Sequence, residues 1–130
     1  MTNSPASDKP LVLVVDDYQD AREMYAEYLD FSGFRVAEAT NGAEALDKAF
    51  ALLPDIILMD LSLPIIDGWE ATRRLKNDER TKKIPVVALT GHALNQSEGE
   101  KLGCDAFVIK PCLPDTLVAE VKRVLATRAA

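Results

Sequence analysis

Polar side chains close four short apolar runs in this chain. The runs read LVLVV, DIILM, IPVVAL and DAFVI, and each is rich in β-branched and aliphatic residues. The residues that close them are Asp16 with Asp17, then Asp60, Thr90 and Lys110. If the runs are parallel strands, their carboxyl ends lie along one edge of a sheet and gather three carboxylates, a hydroxyl and an ammonium. That combination suits the binding of a divalent cation and the acceptance of a phosphoryl group.

The expected roles follow from the chemistry of each group. Two carboxylates about 4 Å apart repel by roughly 4 kcal/mol at an effective dielectric of 20, so three of them beside one lysine favour a bound cation. Magnesium fits best, because it takes one or two carboxylates together with phosphate oxygens. Asp60, on the central strand, would be the nucleophile and form an acyl phosphate. Lys110 would pair with phosphoryl oxygens, and Thr90 would donate a hydrogen bond to one of them.

A plainer interpretation exists for each of these residues. Carboxylates and hydroxyls after a strand often cap the next helix or lie in loops, and a lysine is usually a solvated surface charge. Their ordered occurrence at four of the five predicted strand ends favours one common site over unrelated surface residues.

The elements that must position these groups alternate between strand and helix five times. Three of the strand candidates are almost wholly apolar, as expected of strands covered on both faces of a parallel sheet. The second candidate, RVAEA, alternates apolar and polar residues and fits an edge strand. The predicted strands are Leu11–Val15, Arg35–Ala39, Asp55–Met59, Pro85–Leu89 and Ala106–Ile109.

Apolar stripes with helical spacing fill most of the intervals. Asp67 is the predicted N-cap of a third helix over 68–77. The fourth interval, between His92 and Gly103, has few apolar residues and carries Gly99 in its middle, which costs a helix roughly 1 kcal/mol relative to alanine. A short or irregular fourth helix is therefore expected. The predicted buried stripes are Ala21, Met24, Tyr25, Tyr28 and Leu29; Ala45, Leu46, Ala49, Phe50 and Leu53; and Leu117, Val118, Val121, Val124 and Leu125.

This pattern predicts a doubly wound α/β fold, with a five-stranded parallel sheet flanked by five helices. Right-handed crossovers place helices on both faces of such a sheet. In the flavodoxin-like strand order 2-1-3-4-5, ligands bind at the switch point between the first and third strands. Those strands end at Asp17 and Asp60, and Trp69 should lie close by.

Composition limits the class of protein. A chain of 130 residues is one domain, and its net charge of −6 disfavours a general nucleic-acid binder, because phosphate contacts need lysine and arginine. Cys104 and Cys112 lack metal-ligand spacing, and no segment has the length of a transmembrane helix or the pattern of a signal peptide. We expect a cytoplasmic protein with a flexible tail over 1–9 and a domain over 10–128. From Met1 and the polar tail we expect a complete chain, and the alternative is a segment of a longer protein.

The segments VVDDY, ILMDLSLPIIDG, VVALTGHA and VIKP together resemble the receiver domain of bacterial two-component response regulators. The resemblance runs from about Pro10 to the end of the last helix. It implies that Asp60 is the phosphoacceptor and that the donor is a phosphohistidine on a histidine kinase or a histidine phosphotransfer protein. The implied cofactor is Mg²⁺ or Mn²⁺.

The resemblance also implies separate roles at the site. Asp17 resembles a direct metal ligand and Asp16 one that acts mainly through water, while the backbone carbonyl of Ser62 resembles the remaining protein ligand beside Asp60. The positions that match the family's hydroxyl, aromatic switch residue and lysine are Thr90, Phe107 and Lys110. The Lys110–Pro111 bond is similar to one that the family usually holds in cis. Phe107 could equally be an ordinary core aromatic residue.

Two positions depart from the family's pattern. The stretch from Thr90 to Lys110 is about two residues shorter than usual, which corresponds to about 200° of helix rotation. Contacts that relatives make around the fourth helix are therefore not carried over to this chain. His92 follows Thr90 by two residues, at a position that in relatives faces the site entrance. We expect His92, and with it Ser62, to tune the lifetime of the phosphoryl group.

These observations favour a single-domain response regulator that signals through protein–protein contacts, as a monomer or weak dimer without DNA or membrane binding. It would catalyse only its own phosphorylation and dephosphorylation. A phosphatase of the haloacid dehalogenase class needs a second aspartate where Ser62 stands, and a flavodoxin needs a hydroxyl- and amide-rich loop where Asp16 and Asp17 stand. The remaining alternative is a receiver-fold interaction module that acts without phosphorylation. If the chain is instead a receiver segment of a longer protein, that protein would be a hybrid kinase.

Overall fold

The structure, a computed structural model, describes residues 9–129. The predicted tail lies, apart from Lys9, outside the described residues, so its flexibility stays a prediction. The strands are β1 Leu11–Val15, β2 Arg35–Ala39, β3 Ile56–Asp60, β4 Val86–Thr90 and β5 Ala106–Ile109. The helices are α1 Gln19–Phe31, α2 Gly42–Leu52, α3 Gly68–Lys76, α4 Gln96–Leu102 and α5 Pro114–Ala129.

The strands form one parallel sheet in the order β2-β1-β3-β4-β5, as predicted. Side chains of β1 and β3 point alternately to the two faces, and both faces are covered. Val12 and Leu58 pack beneath α1 and α5, whereas Leu13 and Met59 pack beneath α2 and α3. β1 is apolar throughout, and β3 is apolar as far as Met59, because neither face meets water.

The third and fourth strands begin and end one residue later than predicted. Asp60 pairs with Leu89 in the ladder, and the Leu61 N–H donates to the Leu89 carbonyl at 3.0 Å. Pro85 has no N–H to give to the ladder, so β4 begins after it. Asp60 and Thr90 are therefore the last residues of their strands rather than the first residues of loops.

Two of the predicted helical stripes are partly wrong. In α1 only Tyr25 and Leu29 are buried, whereas Met24 and Tyr28 are 37% and 48% exposed. Only the face of α1 that carries Ala21, Tyr25 and Leu29 packs against the sheet and α5, so Met24 and Tyr28 face solvent. Leu53 is also exposed, because it follows the last residue of α2 and takes a left-handed conformation with φ 46°.

The end of α1 is set by a glycine. Gly33 has φ 98°, which is left-handed, and its N–H donates to the Asp30 carbonyl at 3.1 Å. The Phe34 N–H then donates to the Leu29 carbonyl at 3.0 Å, and both of these side chains are buried in the same cluster. This Schellman arrangement stops the helix and starts the chain toward β2.

The fourth helix has seven residues, which confirms the predicted short element. Its start is better defined than its apolar pattern indicates. The Asn95 side chain accepts from the Glu98 N–H at 2.8 Å, and the Glu98 carboxylate accepts from the Asn95 N–H at 3.1 Å. This capping box satisfies two backbone donors in the first turn. Leu94 and Leu102 anchor the segment on the sheet.

Close backbone approaches shape the loop that follows β3. A Cβ added to Gly68 would collide with the Asp60 carbonyl, and one added to Gly42 would collide with the Ile66 carbonyl. The Ile66 N–H donates to the Pro64 carbonyl at 2.9 Å around Ile65, whose φ is 72°. The start of α3 is thereby held against the end of β3.

Within residues 9–129, no helix has the length and apolar character needed to cross a membrane. The expected cytoplasmic location stays a prediction.

A matched pair of glycine substitutions tests the packing at the end of β3. Gly68→Ala should lower the free energy of unfolding by about 1–3 kcal/mol, because the new methyl group overlaps backbone that cannot easily move. Gly99→Ala should instead raise it by up to about 1 kcal/mol, because the site inside α4 is open and alanine favours helix. Urea unfolding of both variants measures the two signs; equal effects would contradict the close approach at Gly68.

Candidate functional site

The strand ends meet where sequence predicts. Asp16 directly follows β1 and Asp60 ends the adjacent β3, while Lys110 directly follows β5 on the far side of β4. The Lys110 Nζ donates to Asp16 Oδ2 at 3.0 Å and to Asp60 Oδ2 at 3.1 Å. One ammonium therefore joins two carboxylates that lie 44 positions apart in the chain.

Asp60 is almost fully buried, and the Ser62 N–H donates to its Oδ1 at 2.9 Å. Burial raises the pKa of the Asp60 carboxyl, and the neighbouring Asp16 charge raises it further. The Ser62 amide and the Lys110 ammonium lower this pKa and offset part of the rise. The net direction is upward, so the carboxylate form is harder to maintain here than in water.

For the pKa of Lys110, the hydrogen bonds outweigh the effect of burial. Burial alone lowers the pKa of its ammonium, but the hydrogen bonds to Asp16 and Asp60 raise it by more. The pKa lies above its usual value, so Lys110 stays a cation at neutral pH.

The two acidic residues after β1 differ in burial: Asp16 is buried and hydrogen-bonded, whereas Asp17 is exposed to solvent. Asp16 is fully buried, and its Oδ1 accepts from the Tyr18 N–H at 2.9 Å. Asp17 is exposed, and its carboxylate has no hydrogen-bond partner within residues 9–129. Asp16, Asp17 and Asp60 can each offer an oxygen so that the three oxygens lie within 4.8 Å of one another.

This set of donors fits a hard divalent cation. Three carboxylates carry three negative charges, and Lys110 neutralises only one of them. The open side at Asp17 leaves room for water and for a further ligand, as magnesium requires. Carboxylate oxygens without sulfur or imidazole favour Mg²⁺ or Mn²⁺ over zinc.

Thr90 is buried close to this edge, but its hydroxyl is turned toward the following loop. The Thr90 Oγ1 donates to the His92 carbonyl at 2.9 Å, and the His92 N–H donates to the same Oγ1 at 3.3 Å. The structure thus brings the three carboxylates and the lysine together and leaves the hydroxyl outside the cluster. The imidazole of His92 is on an exposed residue, and Phe107 is 37% exposed.

Ser62 contributes its N–H to Asp60, which the sequence analysis did not foresee, whereas a metal-binding role for its carbonyl stays a prediction. The Lys110–Pro111 bond is cis, as the family resemblance implies.

Other contacts around the site were also missed. Arg22 reaches the Asp16 carbonyl from one turn into α1, and the Tyr25 hydroxyl lies 3.5 Å from the Cys112 thiol. Burial raises the pKa of Tyr25 above its usual value, and the contact with Cys112 adds to the rise. No spacing or motif marks these partners, because they come from elements that meet only in the folded chain.

A sequence profile described as the response regulator receiver domain matches residues 12–122. The chain belongs to this family. It is 41% identical over 116 residues to the phosphate regulon transcriptional regulatory protein PhoB of Pseudomonas aeruginosa, a match that covers 88% of this chain and 51% of PhoB. The chain thus spans about half the length of that relative. It is also 35% identical over 117 residues to the polar-differentiation response regulator DivK of Brucella anthropi, with 88% of this chain and 94% of DivK covered.

Solved structures of receiver domains share the fold. The chemotaxis response regulator CheY4 of Vibrio cholerae superposes with a TM-score of 0.84 at 31% identity, and the match covers 89% of this chain and 98% of CheY4. The receiver domain of the sensor histidine kinase PA1611 of Pseudomonas aeruginosa has a TM-score of 0.83 at 28% identity, covering 91% and 98% of the two chains. That structure holds a magnesium ion in its active-site cleft.

Receiver domains belong to two-component signalling systems, receive phosphoryl groups from histidine kinases and bind Mg²⁺ in an acidic pocket. This receiver domain has an acidic cluster formed by Asp16, Asp17 and Asp60.

Neutralising the central carboxylate should stabilise the metal-free protein. Because the pKa of Asp60 is raised by folding, its ionisation opposes folding at every pH above its unfolded value, and the opposition disappears as pH falls below that value. Asp60→Asn should therefore raise the free energy of unfolding at pH 7 by about 1–2 kcal/mol. This is less than the ~4 kcal/mol repulsion of two close carboxylates, since Lys110 also loses an attraction. Urea unfolding in EDTA at neutral and acidic pH measures it; a gain independent of pH would contradict the electrostatic cause.

Proposed function

We propose that this receiver domain accepts a phosphoryl group on Asp60 from a phosphohistidine and signals through a change in its protein contacts. The observation that carries this proposal is the Lys110 ammonium held between Asp16 and Asp60 at 3.0 and 3.1 Å, beside the open carboxylate of Asp17. A nucleophilic carboxylate, a fixed cation and an exposed carboxylate that can bind a metal ion are the parts that phosphoryl transfer needs.

The transfer step exchanges one bond for another. An Asp60 carboxylate oxygen attacks phosphorus in line with the donor's imidazole nitrogen, so that the O–P bond forms as the N–P bond breaks. The electron pair of the N–P bond returns to the imidazole nitrogen, which takes one proton from water, so that the donor leaves as neutral histidine. Lys110 and the Ser62 N–H remain at the site to face the phosphoryl oxygens, because each already contacts an Asp60 oxygen.

We propose that Asp16, Asp17, Asp60 and the carbonyl of Ser62 hold Mg²⁺, or Mn²⁺ in its place. When bound, the ion would neutralise the carboxylates and the incoming phosphoryl charge. Support comes from the three carboxylate oxygens within 4.8 Å and from the magnesium-bound cleft of the PA1611 receiver domain. Asp17 leaves the cluster open, and Asp16 stays anchored by the Tyr18 amide.

We also propose that Thr90 and Phe107 are the switch residues, whose side chains change conformation when Asp60 is phosphorylated. Rotation of the Thr90 hydroxyl away from the His92 carbonyl would let it donate to a phosphoryl oxygen. Phe107 lies on the neighbouring strand and is partly exposed, so an inward rotation would change the surface beside α4. The output is then a protein–protein contact of a monomer or weak dimer, and catalysis is limited to the protein's own phosphorylation and dephosphorylation.

Phosphorylation by a small donor tests the acceptor. With acetyl phosphate and Mg²⁺, the wild type should gain the mass of one phosphoryl group, and Asp60→Asn should gain none because the nucleophilic oxygen pair is gone. Asp67→Asn is the matched control, since asparagine can still accept the Glu70 N–H at the start of α3. Intact-protein mass spectrometry gives the result. An unmodified wild type would favour the interaction module that acts without phosphorylation.

His92 provides a second test, directed at the lifetime of the phosphoryl group. We expect His92→Ala to change the rate of dephosphorylation by severalfold. The exposed imidazole belongs to the residue whose backbone Thr90 contacts, close enough to the site edge to order an attacking water. The measurement is decay of the phosphorylated protein after the donor is removed, at several pH values from mildly acidic to mildly alkaline. A rate that is flat with pH and unchanged in the variant would remove His92 from the proposal.

A further inference from the structure

Arg22, on α1, forms a hydrogen bond with the backbone of the acid pair Asp16–Asp17. Its Nε donates to Glu38 Oε1 at 3.0 Å, and its Nη1 donates to the backbone carbonyl of Asp16 at 3.1 Å. The side chain is 12% exposed, so the guanidinium is largely withdrawn from water. An arginine with this little exposure is committed to its partners rather than to general surface solvation.

The peptide that Arg22 holds is the one between the two candidate metal ligands. The carbonyl of Asp16 and the N–H of Asp17 belong to the same planar unit, so fixing the oxygen fixes the direction in which Asp17 leaves it. Asp16 is also tied through its N–H to the Ala39 carbonyl at 3.1 Å. The Asp16 carboxylate is held separately by Tyr18 and Lys110.

The position of the Asp17 carboxylate depends on this peptide more than the position of the Asp16 carboxylate does. Within the part of the chain that the structure describes, its carboxylate accepts no hydrogen bond. The backbone and the rotamer of Asp17 itself therefore decide where its oxygens lie relative to Asp60. Arg22 supplies a side-chain hydrogen bond to the peptide on the amino side of Asp17.

We propose that Arg22 is a positioning residue for divalent cation binding, acting through the Asp16–Asp17 peptide and itself oriented by Glu38. This inference rests on the proposed function, since it assumes that the acid cluster binds Mg²⁺ or Mn²⁺. Glu38 is suited to the orienting role because it lies on β2 beside β1, and its own carbonyl accepts from the Lys48 ammonium. In this proposal Glu38 on the edge strand orients Arg22, and Arg22 holds the peptide that positions Asp17.

The positive charge of Arg22 and its positioning role predict opposite effects of its removal on cation affinity. If Arg22 acted only as a nearby positive charge, its removal would strengthen the binding of a cation, and added salt would reduce the gain. If it positions the Asp16–Asp17 peptide, its removal weakens binding despite the more negative site. Outer partners of metal ligands typically change affinity by roughly 10–100-fold when they are removed.

The experiment is a titration with Mn²⁺ in which electron paramagnetic resonance measures the free ion. Arg22→Met should raise the Kd for Mn²⁺ by roughly 10-fold or more. Arg22→Lys should raise it by several-fold, because an ammonium keeps the charge but lacks the planar fork that serves both partners. Arg74→Met, which removes the same charge from an exposed ion pair on α3, is the matched control and should change the Kd less than twofold.

A double-mutant cycle with Glu38 separates orientation from charge. Charge alone predicts that Glu38→Gln weakens cation binding and that Arg22→Met restores it in the double variant. Positioning predicts that both single variants weaken binding and that the double variant is no weaker than Arg22→Met, because the two residues act as one unit. Circular dichroism and urea unfolding of each variant establish that the folded state is being compared.

The possible failures are distinct. A wild type that binds Mn²⁺ while Arg22→Met binds it equally or more tightly would overturn the role of Arg22 and leave the proposed function standing. A wild type that binds no Mn²⁺ or Mg²⁺ would overturn the metal site and the role of Arg22 together. If Arg22→Met does not fold, Arg22→Lys decides the question, since an unchanged Kd in that variant contradicts the need for the guanidinium.

Discussion

The Lys110 ammonium is the interaction on which the site depends. It contacts two buried carboxylates, Asp16 and Asp60, at hydrogen-bonding distance. Either carboxylate would be an unpaired buried charge without it, and removal of one partner from such a group typically costs several kcal/mol. Because Lys110 follows β5, Asp16 follows β1 and Asp60 ends β3, the ion pairs depend on the parallel arrangement and order of these strands.

Around this ion-pair network, the site divides into anchored and open groups. Asp16 is held through its N–H, its carbonyl and both carboxylate oxygens, and Asp60 is held by Ser62 and Lys110. Asp17 lies open, and the Thr90 hydroxyl is bound to the next loop. The proposed phosphorylation needs this division, because its nucleophile must be preorganised whereas the groups proposed to detect the modified state must be free to change partners.

Sequence patterns were reliable where one physical rule dominated. The strand order and the meeting of Asp16, Asp60 and Lys110 follow from apolar runs of a parallel sheet that end in polar groups. The patterns failed where a boundary or a face depended on neighbours. Met24 and Tyr28 have helical spacing with Leu29 but face solvent, and the strands ending at Asp60 and Thr90 are shifted by one residue. The capping box that starts α4 was legible in Asn95 and Glu98 but was overlooked beside Gly99.

The sequence by itself determined the family, the fold and the meeting of the three carboxylates with Lys110. A parallel sheet brings the carboxyl ends of its strands to one edge whatever the intervening loops do, so the identity of the strand-ending residues is enough to predict their convergence. Only the tertiary structure decided how those groups are held. The turn of Thr90 toward His92 and the reach of Arg22 to the Asp16 carbonyl depend on side-chain directions and on contacts between separately formed elements. Single-sequence periodicity carries no information about such contacts, because they arise when the elements pack.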